Sequence, residues 1–446
     1  MLRSRSDWQD RDTPMFQLST KGRLSSLLVG TALLLGACAE TPNPAPQLAA
    51  PDKAAAQPQQ VAASSAPAQD AVQLTPAISF EDWRAQFRGK ALSAGIPAEL
   101  FDRAFAGVIP DLSVVKADRA QPEFTRPVWE YLDGAISPVR VRKGQALLAE
   151  HAATLDAIEQ RYGVDRETLV AIWGMESSFG QFMGDNSVIR SLATLAYEGR
   201  RPQFAENQLL AALQILQNGD IGANGLRGSW AGAMGQTQFI PTTYLTHAVD
   251  FDGDGRRDIW NSSADALASA AHYLQASGWQ QGEAWGIQVA LPSGFDYALA
   301  DTAVRKTYAQ WQAYGVKGTP TNVDPNDAGY LLLPAGHRGP AFLVFRNFGA
   351  ILKYNNSSSY ALAVGLLGQR LDGGGPLLAS WPKDERPLGR SERIELQEGL
   401  SAKGFEPGPA DGIIGANTRR AVRAFQQSLG LPADGYPTPA LLQRLR

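Results

Sequence analysis

The chain has 446 residues, 44% of them hydrophobic, and a formal net charge of −3 at pH 7. Its length suggests two or three domains, and the near-balanced charge leaves no basic footprint, so a nucleic-acid partner is excluded. A single cysteine, Cys38, excludes an internal disulfide framework and any cysteine-rich metal site.

Lys21 and Arg23 precede an apolar stretch that begins at Leu24 and closes with Leu33-Leu34-Leu35-Gly36-Ala37-Cys38. Residues 1–37 therefore read as a secretory signal, and the polar residues ahead of Met15 point to Met15 as the true start. The small residues before Cys38 resemble the lipobox of bacterial lipoproteins, which implies cleavage there and lipidation of Cys38. The alternative is an ordinary signal peptide or an uncleaved anchor with an incidental cysteine. Residues 38–77 are mostly Ala, Pro, Gln and Ser, too poor in large apolar side chains to offset the entropy of folding, and predict a disordered tether.

Folded sequence begins near Phe80, where Trp83, Phe87 and Ala91, then Leu100, Phe101 and Phe105, recur at helical spacing. A main body over 78–376 follows, with helices expected at about 142–161, 165–177, 203–217, 263–277 and 358–370. Within the second of these predicted elements, Asp165 is the expected cap, and Leu169, Ile172, Trp173 and Glu176 fall on one stripe. A carboxylate on an apolar stripe near the negative end of the helix dipole favours its protonated form, toward roughly pKa 6 to 7, as a general acid requires. The competing reading is a Glu at a frayed helix end, facing water.

The next informative block is Gly228-Ser229-Trp230-Ala231-Gly232-Ala233-Met234-Gly235-Gln236-Thr237-Gln238-Phe239-Ile240-Pro241. Amides beside aromatics, with glycines that permit close approach, suit a sugar site; a tightly packed glycine-rich helix crossing is the alternative. Asp250, Asp252, Asp254 and Asp258, with Gly255 and the Arg256 carbonyl, follow the spacing of an EF-hand-like calcium loop. Arg257 and Asn261 depart from that pattern, and Asp265 is the candidate for the missing carboxylate. An Asp-Gly turn without metal is the other reading, and either role is structural. The four histidines, His151, His247, His272 and His337, show no metal spacing.

Between Trp285 and Leu333 the periodicity weakens, predicting loops with a short strand or two. Gly, Pro and charge over 377–387 mark a linker, expected to be flexible. The tail, 388–446, predicts three short helices near 391–403, 417–429 and 437–445. It carries an internal echo: Lys403 to Gly412, ending in Asp411-Gly412, against Leu429 to Gly435, ending in Asp434-Gly435.

The Glu176 block, Ala231-Gly232-Ala233-Met234-Gly235 with Gln238-Phe239, the Asp-Gly loop at 250–258 and Tyr354-Asn355 occur together, in order. In this the sequence resembles the lytic murein transglycosylase B family. The tail is similar to a three-helix peptidoglycan-binding domain through Asp411-Gly412-Ile413-Ile414-Gly415, Thr418, Ala421-Val422 and Phe425-Gln426. The resemblance implies a mainly α fold, a lysozyme-like α-helical catalytic domain plus a small three-helix C-terminal domain. It implies cleavage of the MurNAc–GlcNAc bond of peptidoglycan without water, leaving 1,6-anhydromuramic ends. Glu176 matches the family's catalytic acid/base, and Ser229, Gln238, Tyr273, Tyr354, Asn355 and Tyr360 match positions that line its glycan cleft.

No cofactor is then expected for the chemistry, and calcium only as a structural ion. The expected partners are glycan strands and a membrane reached through the lipid anchor, with the protein a monomer in the periplasm. Ala39 after Cys38 favours the outer membrane. A hydrolytic muramidase, using Asp185 or Glu198 as a second carboxylate, and an inactive wall-binding scaffold are the rival readings.

Overall fold

The computed structural model describes residues 78–120, 126–318 and 323–446. Cys38, the expected leader and the expected tether lie outside the described residues.

Helices build the body where the apolar spacing predicts them. The helix Phe80–Ser93 starts at Ser79, whose hydroxyl oxygen accepts the Asp82 amide, and buries Trp83, Phe87 and Ala91. Each large side chain removed from water in this way contributes roughly 1.5–3 kcal/mol. The helix expected over 142–161 is two helices, Pro138–Glu150 and Ala152–Tyr162, separated at His151. Val141, Gly144, Leu155, Ile158 and Tyr162 are buried and keep one helical phase across the break, so spacing alone could not mark it.

At the centre lies Arg166–Ser177, buried all round from Thr168 to Gly174, as befits a core helix. It packs against Pro138–Glu150, Ala152–Tyr162, Ser263–Ala276 and Ser358–Leu371. Asp165 precedes it but makes no side-chain cap bond, contrary to expectation. Burial, with Glu159 and Glu167 close by, instead pushes the Asp165 carboxyl up to about 6.

The region expected to be mostly loop contains a five-stranded antiparallel sheet. Its order is Lys306–Thr307, Ala328–Leu332, Ala341–Val344, Gly286–Ala290, Lys317–Gly318. Tyr330, Phe342 and Val344 join the helical core, whereas Ile287, Val289, Leu331 and Leu343 join a second core around Trp311 and Phe345. Both faces are thus covered, which removes the polar–apolar alternation that would have announced the strands.

The tail has its own core of Leu396, Leu400, Val422, Phe425, Leu441 and Leu442, from the helices Arg390–Ala402, Ala416–Ser428 and Pro439–Gln443. The sequence echo is a structural repeat. Gln397 Oε1 accepts the Gly412 amide at 2.7 Å while its Nε2 donates to Asp411 Oδ1; Gln426 does the same for Gly435, at 2.8 Å, and Asp434. The second turn is also docked on the body: Asp434 Oδ2 accepts the His337 amide at 2.8 Å and lies 2.6 Å from His337 Nδ1. Arg423 pairs with Asp301 beside it. The linker expected to be flexible is itself tied down, by Leu378 N–H to Gln288 Oε1, Arg338 to Asp384 and Lys383 to Asp133.

Candidate active site

Glu176 is the penultimate residue of the central helix and is 4% exposed. Leu169, Ile172 and Trp173 of the same stripe are buried with it. Burial pushes the Glu176 carboxyl up to about 8, above the range the sequence suggests, because desolvation disfavours the charged form. The Tyr360 hydroxyl donates to Glu176 Oε1 at 2.5 Å and acts in the opposite direction. The carboxyl therefore keeps its proton at neutral pH.

The helix ends abruptly. Ser178, Phe179 and Gly180 all have positive φ, at 50°, 63° and 77°, a conformation that costs the two non-glycine residues roughly 1–3 kcal/mol each. The Phe179 amide donates to Trp173 O at 3.1 Å, and the Phe179 ring lies on Gly174, where an added Cβ would come within 2.7 Å of it. Ser177 Oγ donates to Gln236 O at 2.6 Å and accepts from Gly180 N at 2.8 Å. These bonds join the end of the helix to the glycine-rich block.

That block is not a helix crossing but a folded loop, with Met234 bridging Gly228 and Phe239. Gly235 is enforced by a positive φ of 69° and by Ile259 O, 2.7 Å from where a Cβ would stand. Gln236 is structural, its backbone amide donating to Ile259 O and its Nε2 to Trp260 O. Ser229 Oγ accepts the Ala231 and Ala233 amides and so organises the turn. Gln238, also at positive φ, donates from Nε2 to Met183 O at 3.0 Å and Gly235 O at 2.7 Å. Its buried Oε1 has no partner among the described residues.

Tyrosines complete the surroundings of Glu176. Tyr354 donates to Thr237 O at 2.6 Å, and Tyr273 to Lys353 O at 2.6 Å, with their rings edge-on at 5.2 Å and Phe239 beside both. Burial and the Glu176 charge push the Tyr354 and Tyr360 phenols well above their ordinary range. Asn355 follows Tyr354 at the end of its helix and is buried. The structure thus groups Glu176, Gln238, Tyr273, Tyr354 and Tyr360, with Asn355 alongside. Asp185 is exposed, and Glu198 lines a surface groove with Leu112, Val115, Lys116 and Arg119. Neither contributes to the shift of Glu176, which arises from burial and Tyr360.

In the acidic loop, carboxylate oxygens of Asp250, Asp252 and Asp254 lie within 4.8 Å of one another. Asp258 is outside this group and accepts from the Trp260 and Asn261 amides. Asp265 does not supply the missing ligand. It is fully buried, and its two oxygens accept the Phe251, Asp252 and Asp258 amides, holding the loop's backbone from beneath. The Arg256 amide donates to Asp254 Oδ1, so the main-chain atom of Arg256 left to offer a ligand is its carbonyl oxygen.

Residues 79–369 match the family described as the transglycosylase SLT domain, and residues 389–445 match a peptidoglycan binding domain. The chain belongs to the SLT transglycosylase family. Over 82% of its length it is similar to SltB3 from Pseudomonas aeruginosa, solved in complex with NAG-anhNAM-pentapeptide. The identity is 64%, the TM-score 0.80, and 99% of that chain is covered. It is 33% identical over 240 residues to membrane-bound lytic murein transglycosylase B of Escherichia coli (strain K12), which covers 52% of this chain and 64% of that relative's length. The E. coli lytic transglycosylase SLT35 in complex with calcium is 29% identical, with a TM-score of 0.57, over 65% of this chain and 92% of that one. The fold is therefore that of a lysozyme-like SLT transglycosylase domain followed by a peptidoglycan binding domain.

In this SLT family member one neighbour of the acid escaped the sequence reading. Tyr131, on the helix Val128–Ala135, is half-buried, and its phenol is raised by burial and by the Glu176 charge. Arg140 supports that helix by donating to Gly134 O and Ala135 O. No spacing links Tyr131 to Glu176; only tertiary packing brings them into electrostatic reach.

Proposed function

We propose that the chain is a lytic transglycosylase that cleaves the MurNAc–GlcNAc β-1,4 bond of peptidoglycan and leaves 1,6-anhydromuramic ends. The observation that carries this reading is a buried, protonated carboxyl beside tyrosines, with no second acid shifting it among the described residues. Hydrolysis by water normally uses two carboxyl groups. With one, Glu176 gives its proton to the glycosidic oxygen as the anomeric C–O bond breaks. The muramic 6-hydroxyl oxygen then bonds to the anomeric carbon and its proton returns to Glu176, so one C–O bond replaces another and no water is consumed. Tyr360 occupies Oε1 and leaves Oε2 for the substrate. Gln238 Oε1 is suited to accept the acetamido N–H, and Asn355 stands nearby to orient the same group. Holding the 6-hydroxyl in place makes the attack intramolecular, where effective molarity is large.

The tail binds glycan strands and keeps the enzyme on the wall. A lipid on Cys38 anchors it in the periplasm, at the outer membrane, and the protein acts as a monomer. Calcium held by Asp250, Asp252 and Asp254, with the Arg256 carbonyl, is structural and stabilises the loop. Glu176→Gln tests the assignment: activity on purified sacculi should fall by at least about 10²-fold with glycan binding retained, while Asp185→Asn and Glu198→Gln stay mild. An equally severe loss in Asp185→Asn would give the site a second carboxyl and overturn the reading.

A further inference from the structure

Phe182 stands out among the exposed side chains. It is 60% exposed, although a benzyl group is normally buried. The other exposed large aromatic among the described residues, Tyr314, has Trp311 and the Lys306 ammonium against its ring. No ring or cation partner of Phe182 occurs among the described residues.

The backbone that presents Phe182 is fixed. Its amide donates to Ser177 O at 2.9 Å, one residue from Glu176. The carbonyl of the next residue, Met183, accepts Gln238 Nε2 at 3.0 Å. Three successive positive φ angles precede it, and Gly184, two residues on, lies so close to Gly228 that a Cβ would come within 2.3 Å of Gly228 O. A loop tied to both Glu176's helix and Gln238 thus holds an unpartnered aromatic ring in solvent, six residues after Glu176.

From this we infer that Phe182 is a glycan-stacking platform, a subsite that receives the apolar face of a sugar ring next to the reacting pair. The inference rests on the transglycosylase reading for its substrate class. The loop's attachment to both the Glu176 helix and Gln238 favours a glycan strand as the occupant, since a strand that reaches those two residues extends beyond them in both directions. A ring already immobilised loses little entropy on binding, so stacking there strengthens affinity for the strand.

The test is calorimetric binding of a peptide-free octasaccharide of alternating GlcNAc and MurNAc, in a Glu176→Gln background so that no turnover occurs. Adding Phe182→Ala should weaken the dissociation constant roughly tenfold, Phe182→Trp should hold it within about twofold, and Phe182→Leu should resemble Ala. Melting temperatures should match the parent, since the side chain is exposed. Unchanged affinity in the Ala variant would overturn the inference. So would full recovery by Leu, or a loss seen only with peptide-bearing strands, which would assign the ring to the stem peptide. Product analysis of the wild-type enzyme separates this from the reading beneath it: hydrolysed ends would refute the transglycosylase while leaving the binding series interpretable.

Discussion

At the scale of the residue, Glu176 costs the fold stability in order to keep its proton. Below about pH 4.5, its ordinary value, the carboxyl is protonated in both the folded and unfolded chain and contributes nothing. Above that the unfolded chain releases the proton while the folded site keeps it up to about pH 8, so stability falls as pH rises through this window. Gln does not titrate. Glu176→Gln should therefore melt higher than the wild type at pH 7.5, by about 2–6 °C, and the gain should vanish toward pH 4.5. A gain of the same size at both pH values would mean that packing, not ionisation, separates the two side chains. Glu176 was legible in the sequence because its stripe, Leu169, Ile172 and Trp173, is local. Its contact with Tyr360 was not, since the two lie 184 residues apart and meet only where their helices pack. Gln238 was legible as an amide in a glycine-rich block, but its positive φ and free Oε1 depend on where Gly235 and Met183 fall.

At the scale of the element, the long helices were readable from apolar period and the small sheet was not. Ala341–Val344 is buried at every position, because one face meets the helical core and the other the core around Trp311. The acidic loop was readable in Asp250, Asp252 and Asp254, while Asp265 serves the loop's amides instead. If the three carboxylates hold calcium, the ion stabilises the folded form by mass action. The melting temperature should rise in millimolar calcium after chelation, and Asp254→Ala should abolish that response. A wild-type curve indifferent to calcium would leave an Asp-Gly turn without metal. The tail's docking turn offers a second test. Asp301→Ala with His337→Ala removes the body's half of the contact and spares the Gln426–Asp434 clamp inside the tail. The radius of gyration by small-angle scattering should rise as the tail comes away; an unchanged value would mean that the segment over 377–387 suffices to hold it.

At the scale of the whole molecule, the two Asp-Gly turns of the tail serve different ends. Asp411 and Asp434 each close their own turn, on the Ile413 and Tyr436 amides, but Asp434 also accepts the His337 amide of the body on its other oxygen. The tail's existence was legible from its echo and its shift in composition. Its docking was not, because a buried pair such as Arg423 and Asp301 leaves no mark on either segment alone.

The central claim is that one carboxyl handles both protons and that water takes no part. Digestion of purified sacculi in heavy-oxygen water, followed by mass spectrometry of the released muropeptides, tests it most directly. The account predicts 1,6-anhydromuramic ends, lighter than hydrolysed ends by one water and free of label, because the intramolecular hydroxyl displaces the leaving sugar. Heavy oxygen in the new muramic ends would make water the nucleophile and would contradict the single-carboxyl mechanism.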